Sequence, residues 1–147
     1  MTQRINEIET LRIMFSKDGI YFEDEKGWNA LAEHVAVHNL YLNMTLGFNV
    51  SWDDALFSWY ENVYSPIKRA VMTKRMRNAF PHKTTGELYI AVSDHWLFLK
   101  EKNENISAEV ASYDFMQRNR ERKNPFSNLF HSQRHSGGAS FSRPSAA

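Results

Sequence analysis

The chain has 147 residues, a length that suits one domain with a single core. Its 42% hydrophobic and 14% aromatic residues favour a folded globule over disorder, and the lack of cysteine excludes a disulfide framework and a thiolate zinc site. The net charge of +1 hides an asymmetry, because residues from Arg118 onward carry six Lys or Arg against Glu121 alone, whereas the first 117 carry twelve basic and sixteen acidic residues.

The N-terminal residues MTQRINEIET are polar and helical in pattern, unlike a signal peptide. Ile5, Ile8 and Phe15 follow at helical intervals and predict a first helix. After the break at KDG, the residues IYFED suit a short extended stretch. No apolar run approaches the roughly 18 residues that cross a bilayer, so we expect a cytoplasmic protein with no membrane contact.

The next two predicted helices have clear ends. One runs from about Trp28 to Met44, with Gly47 placed as glycine often is just past a helix. Ser51 is a good N-cap for the next, and Pro66 should kink or restart that helix. Its apolar residues form an i, i+3, i+4, i+7 stripe: Trp52, Ala55, Leu56, Trp59, Tyr60, Val63 and Tyr64.

The second half of the chain predicts further helices and a tail. A helical segment from residue 67 ends before Pro81, and Thr84 and Glu87 have capping-box spacing ahead of the next helix. Ser107 caps a last helix that reaches about Arg120. We therefore predict a helical domain over 1–123 and a flexible, basic, Ser/Gly-rich tail over 124–147.

Two segments about 57 residues apart share a pattern that predicts a repeat. Leu31, Val35, His38 and Leu42 have the same spacing as a later set made up of Leu88, Val92, His95 and Leu99. The match continues through Asn-Val-Ser at 49–51 and Asn-Ile-Ser at 105–107. Because short loops join antiparallel neighbours, the sequence predicts two repeated αα-hairpins.

The histidines His34 and His38 raise the question of a metal site. They lie four apart, as in the His-x-x-x-His motif, but the hydrolytic version has Glu after the first His, where this chain has Val35. His95 or Glu33 is the possible third ligand of a structural zinc site. Apolar neighbours instead favour half-buried histidines that bond to a nearby polar group, so we predict no metal and no cofactor.

The sequence contains no recognisable catalytic set. It has no Gly-rich phosphate loop and no G-x-S-x-G motif. Asp53 and Asp54 suit a helix N-terminus, while Asp94 and His95 point about 100° apart on a helix and cannot act as a dyad. We therefore predict that the chain is not an enzyme.

Basic residues and an aromatic stripe provide the candidate binding residues. The aromatic candidates for a partner protein are Trp52, Trp59, Tyr60 and Tyr64, for which base stacking and core packing are alternatives. The nucleic-acid candidates are Lys68, Arg69, Lys74, Arg75, Arg77, Arg118, Arg120, Arg122 and Lys123. The central group scatters around its helix, so a solvated surface whose side-chain stems cover apolar neighbours is the alternative.

Three segments resemble a helical module of bacterial proteins that follows a ParB-like domain. These are EHVAVHNLYL, WYENVYSPI and AFPHKTTGELYIAVSDHWLFLK, and the resemblance covers roughly Arg4 to Gln117. It implies a bacterial cytosolic setting and a helical accessory domain near nucleic acid or nucleotide chemistry, with no established activity. The sequence departs from the pattern at residues 79–84, where a more acidic helix start is expected, and it has no ParB-like domain.

The expected fold is all-α, with an N-terminal helix and two helical hairpins. The leading functional prediction is a non-enzymatic interaction module, acting as a protein–protein scaffold or accessory subunit, and a homo-oligomer is compatible with it. The alternative is a nucleic-acid- or ribonucleoprotein-associated accessory factor that uses the basic residues. A metal-dependent enzyme built on His34, His38 and His95 is the third hypothesis.

Overall fold

The computed structural model describes residues 1–120; the predicted tail, Arg122 and Lys123 lie outside this range. Within it, all regular structure is helical and no strand forms, which confirms the all-α prediction. The helices are α1 (Thr2–Ser16), α2 (Glu25–Leu46), α3 (Trp52–Trp59), a π-helical turn (Tyr60–Tyr64), α4 (Ser65–Val71), α5 (Lys74–Ala79), α6 (Thr85–Lys100) and α7 (Ala108–Asn119).

The helix ends follow the predicted capping residues closely. The Ser51 hydroxyl accepts from the Asp54 amide at 3.1 Å, and Ser107 does the same at the start of α7. Thr84 and Glu87 form both halves of a capping box at the start of α6. Gly47 ends α2 with φ of +75°, a conformation that glycine adopts without a steric penalty.

One helix start differs from the prediction. α2 begins at Glu25 rather than near Trp28, because the Asp24 carboxylate accepts from the amides of Lys26 and Gly27. The sequence pattern placed this start by its first apolar residue and overlooked the aspartate four residues earlier, which is itself a preferred N-cap.

Pro66 widens the helical turn that precedes it and does not end the helix. The residues 60–64 adopt a π-helical turn in which the Ser65 amide bonds to the Tyr60 carbonyl. Proline lacks an amide hydrogen and its ring crowds the carbonyl four residues back, and one wider turn relieves both problems. The helix then continues into α4, with proline in its first turn.

The segment predicted as one helix from residue 67 to Pro81 forms two. Thr73 separates α4 from α5, because its hydroxyl donates to the Ala70 carbonyl at 3.1 Å and accepts from the Met76 amide at 3.2 Å. A threonine that bonds to local backbone groups in this way competes with a continuous helix.

A single apolar core joins the helices of residues 1–120. α2 packs against α1, α3 and α6, and α4 packs against α6 and α7. At the centre the Phe15 ring lies 5.7 Å from Trp59 and 4.2 Å from Tyr64, measured between ring centroids. Trp59, Tyr64 and Tyr89 are among the largest fully buried side chains.

The residues between α1 and α2 form no strand. Instead Tyr21 bonds to the start of α6, accepting from the Gly86 amide at 2.9 Å. The Phe22 ring lies in the gap between Gly27 of α2 and Gly86 of α6. A Cβ at Gly27 would lie 2.0 Å from Phe22, and one at Gly86 would lie 2.4 Å from the Tyr21 carbonyl oxygen. Glycine at both positions is therefore what lets this connection reach the core.

Candidate functional site

The histidines are held by three separate sets of contacts. His34 of α2 lies beside α6, with Nδ1 3.4 Å from the Ser93 hydroxyl and Nε2 3.1 Å from the Asp94 carboxylate. Burial lowers the pKa of His34, and the neighbouring Asp94 opposes this shift. The imidazole therefore links α2 to α6 with a polar group at each nitrogen.

A serine, a histidine and an aspartate in one set invite comparison with a hydrolytic triad. Ser93 is only 8% exposed and lies between two packed helices. A substrate carbonyl could reach its hydroxyl only if α2 and α6 separated, which makes nucleophilic attack from Ser93 unworkable in this arrangement. The geometry suits an inter-helix link rather than catalysis.

His38 and His95 occupy corresponding places in the two helical pairs. The Nε2 atom of His38 lies 2.9 Å from the Ser58 hydroxyl of α3, and that of His95 lies 2.7 Å from the Asp114 carboxylate of α7. Each half-buried imidazole thus links the longer helix of its pair to the shorter one. The predicted duplication stays a prediction, although these matched hydrogen bonds agree with it.

The geometry gives the metal hypothesis no support within residues 1–120. No group of three or more His, Cys, Asp or Glu side chains in this range is arranged to hold a metal ion. His34, His38 and His95 each face a different partner, so they do not converge. The third hypothesis therefore lacks its site in the described part of the chain.

The four aromatic candidates divide by burial. Trp59 and Tyr64 are 1% and 0% exposed, and Trp52 and Tyr60 are partly buried against the same core. Trp59 and Tyr64 therefore cannot contact a partner while the domain is folded, which corrects their assignment as partner-binding residues. Helical spacing correctly grouped the stripe on one face, but that face meets the core.

Several of the basic candidates have contacts of their own. Lys68 pairs with Asp18 at 3.0 Å, Arg75 lies over the Tyr113 ring at 5.2 Å, and Arg118 donates to Asp114. Exposed basic residues on α4, α5 and the end of α7 complete the described set: Arg69, Lys74, Arg77 and Arg120. Arg69 and Arg75 line one open cleft between α4–α5 and α7, together with the acidic Glu109.

An exposed apolar surface lies on the second half of α2. Its residues, here called the outer stripe, are Val37, Leu40, Tyr41 and Met44, which are 56%, 59%, 61% and 77% exposed. They stand at i, i+3, i+4 and i+7, so they share one helix face. Leu46 and Phe48 are also exposed, at 51% and 62%, but Leu46 lies on the opposite side of α2 from the outer stripe.

The outer stripe is unusual because no charge interrupts it. Residues 34–52 contain no Lys, Arg, Asp or Glu, although charged residues make up 24% of the chain. Surface helices normally place charged residues on their outer face. The charge-free run and the i, i+3, i+4, i+7 spacing are both visible in the sequence. The sequence-based interpretation of α2 considered only its inward apolar residues and missed this outer set.

Comparisons with models of protein families, with curated proteins and with solved structures find no match to the chain. Among residues 1–120, no helix combines the length and apolar character that crossing a bilayer requires.

Proposed function

We propose that the chain is a non-enzymatic helical module that binds another protein through the outer stripe of α2. The observation that carries this proposal is the exposure of four apolar side chains on one charge-free helix face. A contiguous exposed apolar patch on a soluble domain is typical of an interaction site. Depletion of charged residues is also typical of the central part of a protein interface.

The proposal includes a scaffold or accessory-subunit role in the bacterial cytosol, as the resemblance to the ParB-associated module implies. The polar groups that resemble catalytic residues support a non-enzymatic role, because His34, His38 and His95 each link neighbouring helices. These contacts hold the helices of the module together. The outer stripe takes no part in them.

A comparison of two leucines tests the proposal. Leu40 in α2 and Leu97 in α6 are both 59% exposed. Three full-length proteins are immobilised and exposed to lysate of the cells in which the protein naturally occurs: wild type, Leu40→Glu and Leu97→Glu. We expect wild type and Leu97→Glu to retain a protein at high salt, and Leu40→Glu to lose it. Equal capture by all three would contradict the proposal.

Nucleic-acid binding remains the second candidate, favoured by one observation. Residues 62–86 contain no acidic side chain, and Arg69, Lys74 and Arg77 are exposed within that stretch. Binding of generic RNA or DNA should then weaken steeply as salt rises, because each neutralised phosphate releases a counterion. Fluorescence anisotropy at two salt concentrations measures this, and Lys74→Gln with Arg77→Gln should reduce the affinity and its salt dependence together.

A further inference from the structure

Helix α2 has apolar side chains on two opposite faces. Val35 is fully buried in the core, and the outer stripe occupies the far side of the same helix. A surface helix normally has one apolar face that meets the core and a charged or polar face on the other side. In this chain the inner face has its partner and the outer face has none among residues 1–120.

The apolar surface reaches the size of a small specific interface. The outer stripe exposes on the order of 500 Å², so two copies packed through it would bury about 1,000 Å² in total, the lower bound for a specific interface. Exposure of this apolar surface to water is unfavourable, so a molecule that covers it gains hydrophobic stabilisation.

The lack of charge indicates what kind of occupant fits. Complexes between different proteins commonly use complementary charges to select the partner and speed encounter. Residues 34–52 offer no charge for such selection. The same lack of charge lets two identical surfaces meet without like-charge repulsion, and homodimer interfaces are more apolar than those of non-obligate complexes.

We infer that the occupant is a second copy of this chain, with the outer stripes of two α2 helices packed against each other about a two-fold axis. This inference rests on the proposed function, since it names the partner of the same surface. In a two-fold interface the same patch serves both copies, so residues near its centre, Leu40 and Tyr41, meet their own counterparts.

Sedimentation of the full chain tests the inference over a roughly hundredfold range of concentration. Wild type should sediment at twice the monomer mass in the upper part of the range and dissociate on dilution. Leu40→Glu should weaken dimerisation by at least about tenfold, whereas Leu97→Glu, equally exposed on α6, should leave it unchanged. Glutamate is a good helix former, and circular dichroism checks that both variants fold.

A single introduced cysteine gives a second readout that needs no charge insertion. The chain has no cysteine of its own, so Tyr41→Cys carries the only thiol. A short bismaleimide should link two copies of Tyr41→Cys into a covalent dimer. Ile13→Cys, on the exposed side of α1 at 55% exposure, is the matched control and should stay monomeric.

The outcomes separate this inference from the proposed function. A wild-type monomer throughout the range, or a dimer that Leu40→Glu leaves intact, overturns the inference. If that monomer still captures a different protein in a Leu40-dependent way, the proposed function stands and the second copy is the wrong partner. Flotation of the monomer with neutral phosphatidylcholine vesicles would overturn both.

Discussion

The α2–α3 and α6–α7 helix pairs have similar frameworks, but their exposed surfaces differ in charge. Each exposes a leucine followed by an aromatic residue, at Leu40 and Tyr41 in α2 and at Leu97 and Phe98 in α6. Just after the end of α6, Lys102 lies over the Phe98 ring at 4.6 Å. In α2 the corresponding aromatic residue has no charged neighbour within residues 34–52 of its own sequence.

The polar links inside the pairs differ in the same direction. His38 meets a neutral hydroxyl from Ser58, whereas His95 meets the Asp114 carboxylate, which also accepts from Arg118 at 2.8 Å. Charged groups therefore accompany α6–α7 both at its surface and in its inter-helix link. One helical framework can therefore carry a face rich in charge and a face without charge.

Truncation of the corresponding core aromatics should have the largest effect. Trp59→Ala in α3 should lower the free energy of unfolding by about 3–5 kcal/mol, because it leaves a cavity at a fully buried site. Phe115→Ala in α7 should cost roughly half as much, since Phe115 is only partly buried. Urea unfolding measures both losses of stability. Equal losses would mean that the two helix pairs contribute equally to the core.

Removal of the polar links should have a smaller effect. Asp114→Ala should cost about 1 kcal/mol, because His95 and Arg118 both lose their acceptor at a site that is partly open to water. Ser58→Ala should cost about half of that, because the hydroxyl loses its neutral hydrogen bond with His38 and a long one from Asn62 at 3.5 Å. A larger loss for Ser58→Ala than for Asp114→Ala would reverse the comparison.

The pH dependence of stability should show the smallest difference between the His38–Ser58 and His95–Asp114 links. Burial lowers the pKa of His38 below its ordinary 6.5, and Lys100 adds to this shift. The folded state then binds a proton less readily than the unfolded state, so stability falls as the pH drops from about 6.5 toward the folded-state pKa of His38. His38→Gln should reduce this slope, and His34, whose pKa is also lowered, should account for part of what remains.

Asp114 provides the contrasting case at lower pH. Its hydrogen bond with His95 holds the pKa of the carboxyl below its ordinary 3.8, with Arg118 as a further cause. This contribution is fully present above the unfolded-state pKa and is lost as the pH falls through the folded-state pKa. Asp114→Asn should therefore reduce the loss of stability as the pH falls below about 4, as urea midpoints at several acidic pH values would show.

Local sequence signals predicted most helix ends because a cap acts through its own neighbours. Ser51, Thr84 and Ser107 each bond to an amide three residues later, and the corresponding predictions were correct. The break at Thr73 was missed because a threonine in a helical pattern is compatible with either outcome. The wider turn before Pro66 depends on how the chain relieves a local clash, which periodicity does not encode.

The candidate site was harder to predict for a different reason. Periodicity shows which residues share a helix face, but α2 is apolar on both faces and only tertiary packing decides which one meets the core. In the next helix and the turn that follows it, Trp59 and Tyr64 were assigned to partner binding and are buried in the core. The roles of Leu40 and Tyr41 depend on what α1, α3 and α6 leave uncovered, and those contacts join distant parts of the chain.

The Phe22 ring between Gly27 and Gly86 has a consequence for how this sequence can change. A methyl group at either glycine would overlap Phe22 or the neighbouring backbone. Substitution of Gly27 should be tolerated only alongside a smaller residue at position 22, whereas a side chain at Gly86 would still meet the Tyr21 carbonyl oxygen. Homologous chains are thus expected to show positions 22 and 27 varying together while position 86 stays glycine, which links the spacing of α2 and α6 to a residue that belongs to neither helix.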